Sequence, residues 1–386
     1  MIGLSGRVVA SGDTVLHSAE LRLAGRPLPL VGTARIYVCG ITPYDVTHLG
    51  HAATFVWADL LASVVSGAGV TPVVCRNVTD VDDVLTRAAE SHGRYYDEFA
   101  LGQEHQFGQD MLRLGVRRPD HEPRARHHVA HVVQLAAALL ETGHAYERDG
   151  CVWFGGAEAL ARSGLDRDRA LELAAAYGDA PDDPAKRDPF DVPVWRPSSE
   201  RDPAWPSPWG WGRPGWHAEC AAMAMAVLGA GVDVLVGGDD LCFPHHTYQS
   251  AMVAAATAGS AFARRELHVG AVHQGGAKMA KSTGNLTLVG ELLDRVPAPA
   301  VRMLLLDRSW SVPWDYEPAA LGAAELRLER LYVAAGRTLP GDAGGSAVDA
   351  VSQRLLDDLD VPGALDVAEA EGGDAARLAV KVLALG

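Results

Sequence analysis

Cysteine is scarce in this chain of 386 residues, and its few thiols form no framework. The five cysteines, at positions 39, 75, 151, 220 and 242, have no regular spacing and follow no secretory signal. Disulfide scaffolds place cysteines densely in short secreted chains, so the pattern excludes that class. It is typical of a reduced cytosolic protein, and it leaves thiols free to bind a metal.

Long apolar runs and an excess of basic residues are also missing. No run approaches the ~20 apolar residues that cross a bilayer, and the Met1 segment lacks the charged start and apolar core of a signal peptide. We therefore expect a soluble, cytoplasmic protein with no membrane partner. Lys and Arg number 34 against 49 Asp and Glu, a net charge of −15, and no basic run is present. This balance disfavours a nucleic-acid partner, although a local basic groove is compatible with it.

Strand, loop and helix patterns repeat in the first third of the chain. The length and the 48% hydrophobic content suffice for two or three domains. A buried strand is predicted at Thr71 to Arg76, with helices at Ala52 to Gly67 and at Val81 to His92, the latter capped near Asp80. This order predicts the first half of a parallel nucleotide-binding sheet.

The pattern changes to helices and a hairpin-like segment, Tyr146 to Trp153, between about 111 and 214. A helix at 221–228, a strand at Val232 to Val236 and a strand at Leu267 to Val272 then resume the sheet pattern. The tail from Ala319 has leucines at helical spacing, which predicts packed helices. We therefore expect an insertion between two sheet halves and a helical domain at the end.

Two short motifs carry the chemistry. His48-Leu49-Gly50-His51 follows the apolar run Ile36-Tyr37-Val38, and two histidines at the start of a helix can both reach one anionic group. Lys278-Met279-Ala280-Lys281-Ser282, flanked by glycines, offers two ammonium groups on a flexible loop. Each motif alone is more often a packing or capping histidine pair, or a solvated lysine turn, than a functional site. Their order, with 278 − 51 = 227 residues between them, points to adenylate transfer.

The two motifs resemble the HIGH and KMSKS signatures of class I aminoacyl-tRNA synthetases. Further segments look like the cysteinyl-tRNA synthetase group, and within it like the cysteine ligases of mycothiol synthesis. These segments run in the same order between about Ile36 and about Asn285: Cys39-Gly40-Ile41-Thr42-Pro43-Tyr44-Asp45, Asn77-Val78-Thr79-Asp80-Val81-Asp82-Asp83, Gly215-Trp216-His217-Ala218-Glu219-Cys220 and Gly237-Gly238-Asp239-Asp240-Leu241-Cys242-Phe243-Pro244-His245-His246.

The resemblance implies an α/β fold: a doubly wound parallel nucleotide-binding sheet of the Rossmann kind, with an inserted domain and a C-terminal helical domain. We expect a β-rich lead-in at 1–30, the first half of the Rossmann domain at 31–110, and an inserted connective domain at 111–214. The second half of the Rossmann domain is expected at 215–272, the lysine loop and a stem at 273–318, and the helical domain at 319–386.

Metal binding is compatible with the cysteines alone, since Cys39, Cys220 and His245 can converge at strand ends, but buried cysteines more often simply pack in a core. The resemblance implies one zinc ion per chain, held by these three residues, with a fourth position open to the substrate thiol. In cysteinyl-tRNA synthetases a glutamate follows the zinc-binding histidine by four residues, where this chain has Gln249. We therefore expect three protein ligands, and we expect Cys75 and Cys242 to pack in the core.

The resemblance also implies that ATP with Mg²⁺ is a substrate and that L-cysteine is activated as cysteinyl-adenylate. Charge on the phosphates would be stabilised by His48, His51, Lys278 and Lys281. The remaining positions match residues that contact the nucleotide, the aminoacyl group or the cysteine: Gly40, Thr42, Thr54, Asn77, Thr79, Trp216, Gly238, Asp239 and Asp240. The alternative is that these side chains only stabilise loops or cap helices. Thr79-Asp80, for instance, can simply start a helix.

The amine acceptor depends on details in which this chain departs from the mycothiol ligases. Those enzymes carry an Arg-Gly-Gly-Asp-Pro-like segment, where this chain has Tyr177-Gly178-Asp179-Ala180-Pro181; Ala280, Val236 and Asp239 also differ. The resemblance implies glucosaminyl-inositol as the acceptor. We also expect the enzyme to be a monomer. The alternatives are a paralogue with another small amine, a cysteinyl-tRNA synthetase, and a non-catalytic nucleotide-binding protein. The acidic balance and the short tail after Ser282 disfavour tRNA.

Overall fold

A parallel sheet with helices on both faces forms the centre of the fold. The computed structural model describes residue 16 and residues 20–44, 46–199, 202–259, 261–279, 284–338 and 343–386. In chain order the strands are β1 (Arg22–Leu23), β2 (Arg26–Pro27), β3 (Thr33–Ile41), β4 (Thr71–Val78), β5 (Ala145–Arg148), β6 (Cys151–Phe154), β7 (Val192–Pro197), β8 (Gly212–Pro214), β9 (Val232–Gly238), β10 (Ala263–Val269), β11 (Val272–Gln274), β12 (Ala277–Lys278) and β13 (Trp314–Asp315).

Helices account for most of the remaining secondary structure. They are α1 (Leu49–Gly67), α2 (Asp83–Ser91), α3 (Tyr96–Arg113), α4 (Val129–Glu141), α5 (Ala157–Ser163), α6 (Arg167–Ala176), α7 (Trp216–Leu228), α8 (Thr247–Ala256), α9 (Val289–Leu293), α10 (Ala298–Leu306), α11 (Pro318–Ala335), α12 (Ala343–Leu356), α13 (Val361–Glu371) and α14 (Gly373–Val382). Short helical turns cover Ala125–His127 and Asp239–Leu241, and an irregular turn covers Cys242–His246.

The central sheet has the parallel strand order β10-β9-β3-β4. From β3 the chain winds outward to β4, and from β9 it winds outward to β10 on the other side. The direction of winding therefore reverses between β3 and β9, and a crevice opens there at the carboxyl ends of the strands. The predicted doubly wound α/β fold is confirmed.

Successive side chains of β3 point to opposite faces of the sheet, and each face is covered by a hydrophobic core. Ala34, Ile36 and Val38 lie in a core that includes α1 and the tail helices. Tyr37 and Cys39 face the opposite core, which includes α7, α8 and the inserted segment. Because both faces are apolar, the strand reads as a nearly continuous hydrophobic run, as is usual for a buried parallel sheet.

The inserted segment and the tail flank these two cores. The insertion contributes the antiparallel sheet β5-β6-β7-β8, and α4 packs on α7. In the tail, α11, α12, α13 and α14 pack on one another, and α10 links them to α1. The predicted hairpin and tail helices are therefore present, while the exact domain boundaries stay a prediction.

Helix α1 is long and apolar enough to cross a membrane by length and composition alone. Its 18-residue window has a mean hydropathy of 1.3, but 72% of that window is buried inside the protein. Residues such as Leu49, Trp57 and Leu61 lie in the first core, so α1 is a core helix. It begins three residues before the predicted start, at Leu49, because His48 caps it by accepting from the backbone N–H of Gly50.

Three local predictions need correction. Helix α2 is capped by Asp82, whose side chain accepts from the Val84 N–H, whereas Asp80 is buried and pairs with Arg126. The predicted strand Leu267 to Val272 ends at Val269, and β11 starts separately. Cys242 was expected in the core but is exposed, because the Cys242–His246 turn carries it to the surface; Cys75 is buried as expected.

Candidate active site

Three potential metal ligands from separate elements converge at the crevice. Cys39 lies near the end of β3, Cys220 lies on α7, and His245 lies in the turn before α8. All three are buried, and their ligand atoms lie within 4.8 Å of one another. Two thiols and an imidazole at such separations suit a borderline-soft cation such as zinc. The structure thus brings together the residues predicted as metal ligands.

In this cluster, burial keeps the imidazole free to bind a cation but also keeps the Cys220 thiol protonated. Burial raises the pKa of Cys220 well above its ordinary value, and the nearby Cys39 adds to the shift. Burial lowers the pKa of His245, and His217 and His246 lower it further. The imidazole is therefore neutral, which leaves a nitrogen lone pair for a metal. A divalent cation would displace the thiol proton, because thiolate is the form that ligates.

Side chains around the cluster hold its donor atoms in place. The Nδ2 of Asn77 donates to the Sγ of Cys220 over 3.2 Å. The Nδ1 atoms of His217 and His245 lie 2.9 Å apart. Trp216 stacks on His245, with ring centroids separated by 4.2 Å. The indole therefore forms a flat apolar wall beside the potential metal site.

The two motif histidines lie together at the start of α1. Their ring centroids are 3.9 Å apart, and the Nδ1 of His48 accepts from the backbone N–H of Gly50 over 3.1 Å. Burial lowers the pKa of His51 to about 4; Asp240 opposes this shift, and Lys278 adds to it. His51 is therefore neutral at pH 7, so its ring can donate a hydrogen bond to a phosphate without adding charge. The helix N-terminus supplies further N–H donors.

The opposite side of the crevice is formed by the residues after β9. The Nζ of Lys278 lies 2.7 Å from the Oδ2 of Asp240. A Cβ atom on Gly238 would lie 2.4 Å from the Oδ1 of the same carboxylate, so a larger residue would push the Asp240 side chain aside. The Oδ2 of Asp239 accepts from the Ala271 N–H over 3.2 Å. This tight turn leaves backbone and carboxylate groups facing the crevice.

The floor between the two sides is built by β3 and β4. The hydroxyl oxygens of Thr42 and Thr79 lie 2.7 Å apart. The Oδ1 of Asn77 accepts from the Gly40 N–H over 2.9 Å. A Cβ atom on Gly40 would lie 1.8 Å from the Asn77 carbonyl oxygen, so glycine is required for the strands to approach. These contacts fix polar groups between the two motif histidines and the potential metal ligands Cys39, Cys220 and His245, which are called the metal-type cluster below.

All of these groups line one cleft of about 690 Å³. It contains every predicted site residue that the structure describes: Cys39, Gly40, Thr42, His48, His51, Thr54, Asn77, Thr79, Trp216, Cys220, Gly238, Asp239, Asp240, His245 and Lys278. The remaining predicted residue, Lys281, lies outside the described residues, as do Ala280 and Ser282. The cleft is large enough for a nucleotide and an amino acid together.

Some cleft residues were missed by the sequence analysis. Tyr44, Phe55 and Met279 also line the cleft. Tyr44 and Met279 fall inside the motif segments and could have been found there, whereas Phe55 gave no signal because an apolar residue on a core helix is ordinary. Tyr177 also lies near the cleft, since burial and the nearby Asp240 raise the pKa of its hydroxyl.

Residues 30–325 match the profile of the family described as tRNA synthetases class I (C) catalytic domain. The chain belongs to this family. As a member it is an enzyme of the ligase class, which agrees with a cleft at the switch point of a doubly wound sheet. The reading as a non-catalytic binding protein has no support in these findings.

The chain is also similar over most of its length to individual ligases. It is 43% identical to the L-cysteine:1D-myo-inositol 2-amino-2-deoxy-alpha-D-glucopyranoside ligase of Acidothermus cellulolyticus, over 89% of this chain and 86% of that protein. A relative with the same description, from Mycolicibacterium smegmatis, is 41% identical over 88% of this chain and 84% of its own length. The cysteine–tRNA ligase of Rhodospirillum rubrum is 39% identical over 86% of this chain and 73% of that protein.

Solved structures agree on the fold. Mycobacterium tuberculosis methionyl-tRNA synthetase in complex with methionyl-adenylate superposes with a TM-score of 0.63, covering 92% of this chain and 82% of its own at 16% identity. A leucyl-tRNA synthetase ternary complex from Agrobacterium radiobacter also gives 0.63, covering 94% and 84% of the two chains at 12% identity. At such low identity these matches show the class I synthetase fold alone.

Proposed function

We propose that this enzyme uses ATP to activate L-cysteine as cysteinyl-adenylate and transfers the cysteinyl group to the amine of glucosaminyl-inositol, a step of mycothiol synthesis. Pyrophosphate leaves in the first step and AMP in the second, in which an amide bond forms. The proposal combines the cleft geometry with the relatives, several of which are described as ligases of these two substrates. We also propose a monomeric enzyme that acts in the cytoplasm.

The observation that carries the proposal is the Cys39, Cys220 and His245 cluster, next to Trp216 and inside the nucleotide-sized cleft. We propose that it holds one zinc ion, which supplies Lewis-acid binding of the substrate thiol. Three protein donors leave one position for that thiol. A serine hydroxyl binds a soft-ligand zinc far less readily at neutral pH, so the cluster selects cysteine.

Activation follows from the groups around the phosphate end of the cleft. The carboxylate of cysteine attacks the α-phosphate of ATP–Mg²⁺ in line, and negative charge develops on the departing pyrophosphate. His48 and His51 lie where helix α1 directs its N–H groups, and the neutral His51 ring donates a hydrogen bond. Lys278 brings a positive charge to the same cleft, and we propose that Lys281 brings a second.

The acceptor half of the proposal depends on the relatives and on charge. Both the identity and the share of the partner's length are greater for the amino-sugar ligase of Acidothermus cellulolyticus than for the cysteine–tRNA ligase of Rhodospirillum rubrum. The net charge of −15 also disfavours a tRNA acceptor. The Tyr177 to Pro181 segment, which lacks the arginine of the mycothiol ligases, leaves a paralogue with another small amine as the second candidate.

Two measurements test the proposal in order. Cysteine-dependent exchange of labelled pyrophosphate into ATP reports adenylate formation without any acceptor, and serine in place of cysteine is the matched control. Mass spectrometry of reactions with glucosaminyl-inositol or with tRNA then identifies the acceptor. We expect exchange with cysteine only and the amide with glucosaminyl-inositol. Absence of exchange would overturn the activation step, and efficient cysteinyl-tRNA formation would overturn the acceptor.

A further inference from the structure

Gln249 occupies an unusual position beside the metal-type cluster. It lies on α8, and its side chain is fully buried. Its Oε1 lies 3.7 Å from the Sγ of Cys39, so the thiol donates to the amide. Its Nε2 is buried and has no hydrogen-bond partner among the residues that the structure describes. A buried amide nitrogen without a partner is costly, so an arrangement that gives this nitrogen an acceptor is favoured.

The other sulfur of the cluster, that of Cys220, already accepts a hydrogen bond from a side-chain amide. The Nδ2 of Asn77 donates to the Sγ of Cys220 over 3.2 Å. Each of the two sulfurs is therefore accompanied by one neutral side-chain amide. Hydrogen bonds from N–H groups stabilise a thiolate in a buried site without adding charge.

Gln249 contacts Cys39 from the core side. Cys39, Cys220 and His245 line the cleft, whereas Gln249 is not among the lining residues. The amide can exchange its oxygen and nitrogen by a half-turn of its terminal torsion, since the nitrogen has no partner to lose in the described part of the chain. It can then donate to a Cys39 thiolate, the form of the residue that binds a metal.

We propose that Gln249 is a positioning residue of the metal site: it donates a hydrogen bond to the metal-bound Cys39 thiolate and is not itself a ligand. The proposal rests on the proposed function, which assigns a metal to this cluster. A glutamate in this position, as in cysteinyl-tRNA synthetases, would add a buried negative charge next to two thiolates. The neutral amide instead supports the thiolate and leaves the fourth metal position to the substrate thiol.

The test uses cobalt(II) as the probe metal in the full chain, under anaerobic conditions. Gln249→Met keeps the volume of the side chain but removes its N–H donors. We expect cobalt to bind the variant about tenfold more weakly than the wild type, because one hydrogen bond to a charged sulfur is lost. The visible spectrum without cysteine should keep its shape, because the ligands are unchanged. Added cysteine should increase the sulfur-to-cobalt charge-transfer band in both proteins.

Urea unfolding of the metal-free proteins separates this role from a merely structural one. The metal-free variant should be no less stable than the wild type, because the buried nitrogen without a partner is gone. A structural role would lower metal-free stability and metal affinity together. The matched control is Gln134→Met on α4, an exposed position that should change none of these properties.

The cobalt experiment separates failure of the Gln249 role from failure of the proposed function. Equal cobalt affinity of Gln249→Met and wild type would overturn the hydrogen-bonding role, and an altered spectrum without cysteine would show that Gln249 is a ligand. If wild-type cobalt protein binds metal but gives no cysteine-dependent band, the substrate-binding part of the proposed function fails, whatever the variant does. If the wild type shows no thiolate-to-cobalt band at all, the metal site itself is wrong.

Discussion

Lys278 and Asp240 form an ion pair across the mouth of the cleft, with 2.7 Å between Nζ and Oδ2. The pair joins the lysine loop, which is expected to contact the phosphates, to the turn after β9, which is among the segments expected to contact the substrates. Asp240 raises the pKa of Lys278, although burial opposes that shift, so the ammonium group stays charged. The lysine is therefore held, charged, in the cleft where we propose that phosphate charge develops.

This arrangement predicts a kinetic effect of Lys278→Met. Loss of one preorganised electrostatic contact to a developing charge lowers a rate by about 10²–10³-fold. We expect cysteine-dependent pyrophosphate exchange to fall by that factor at saturating ATP, with a much smaller change in cysteine affinity. Lys381→Met, on the tail helix α14, is the matched control and should retain wild-type exchange. A Lys278→Met rate within a few-fold of wild type would show that this lysine does not act on the reaction.

Metal content should depend on Cys220 and not on every buried cysteine. Cys220→Ala removes one of the three donors of the cluster, so we expect the purified variant to lose most of its zinc. Cys75→Ala removes a thiol that is also buried but lies outside the cluster, and it should keep the metal. Elemental analysis of both variants and the wild type measures this. Equal zinc in Cys220→Ala and Cys75→Ala would contradict the proposed site.

Stability should depend strongly on the buried pair between Asp59 and Arg302. The Nη2 of Arg302 donates to the Oδ2 of Asp59 over 3.0 Å, and Arg117 also pairs with this carboxylate. Asp59→Ala leaves the Arg302 charge buried without its carboxylate, so we expect the free energy of unfolding to fall by about 3–5 kcal/mol. Arg302→Met should lower the free energy of unfolding by less than Asp59→Ala does, because Asp59 still pairs with Arg117. Urea denaturation followed by circular dichroism measures both.

The control for that experiment is an ion pair on the surface. Arg169 pairs with Glu172 on α6, and both side chains are more than half exposed. Arg169→Ala should change the free energy of unfolding by about 0.5 kcal/mol or less. If Asp59→Ala were as mild as this control, the buried pair would contribute nothing to stability.

Acid should destabilise the protein in part through His51. An unfolded histidine takes up a proton near pH 6.5, whereas the folded His51 does so only at about 4. Between these values the unfolded chain binds more protons, so the free energy of unfolding falls as the pH is lowered from about 6.5 to about 4. The ring is partly exposed to the cleft, so we expect His51 to contribute about 1–3 kcal/mol.

Comparison with His51→Gln isolates this contribution from those of other buried histidines. The variant should lose less stability than the wild type when urea unfolding is measured at pH 7 and then at pH 4.5. His144→Gln, at an exposed position, should follow the wild-type pH dependence. Identical pH dependence in His51→Gln and wild type would mean that the folded ring titrates normally.

The sequence predicts the part of the site that follows from sheet topology. Cys39, Asn77 and Gly238 follow or end buried strands, and carboxyl ends of parallel strands meet at one edge, so their convergence could be expected. The motif residues at the start of α1 and in the lysine loop join the same edge. This explains why the predicted site residues that the structure describes line a single cleft.

Contacts between distant side chains could not be predicted in this way. Asp80 and Asp82 are both plausible helix caps by residue type, and the choice depends on Arg126, which comes from another segment. Cys242 resembles a core thiol in sequence, yet the irregular turn around it exposes the side chain. The contact of Gln249 with Cys39 joins residues 210 apart along the chain, and no periodic pattern reports such a pairing.

Helix α1 carries both His51, which lines the cleft, and Asp59, which pairs with Arg302. His51 and Asp59 are 59 − 51 = 8 residues apart, about 12 Å along the helix axis. Arg302, which holds Asp59, also donates to the carbonyl oxygen of Leu383 near the end of the chain. One hydrogen-bonded network therefore joins Leu383, Arg302 and the middle of helix α1. Loss of the Leu383 contact would take one acceptor from Arg302 and would thereby reach helix α1 without touching any residue that lines the cleft.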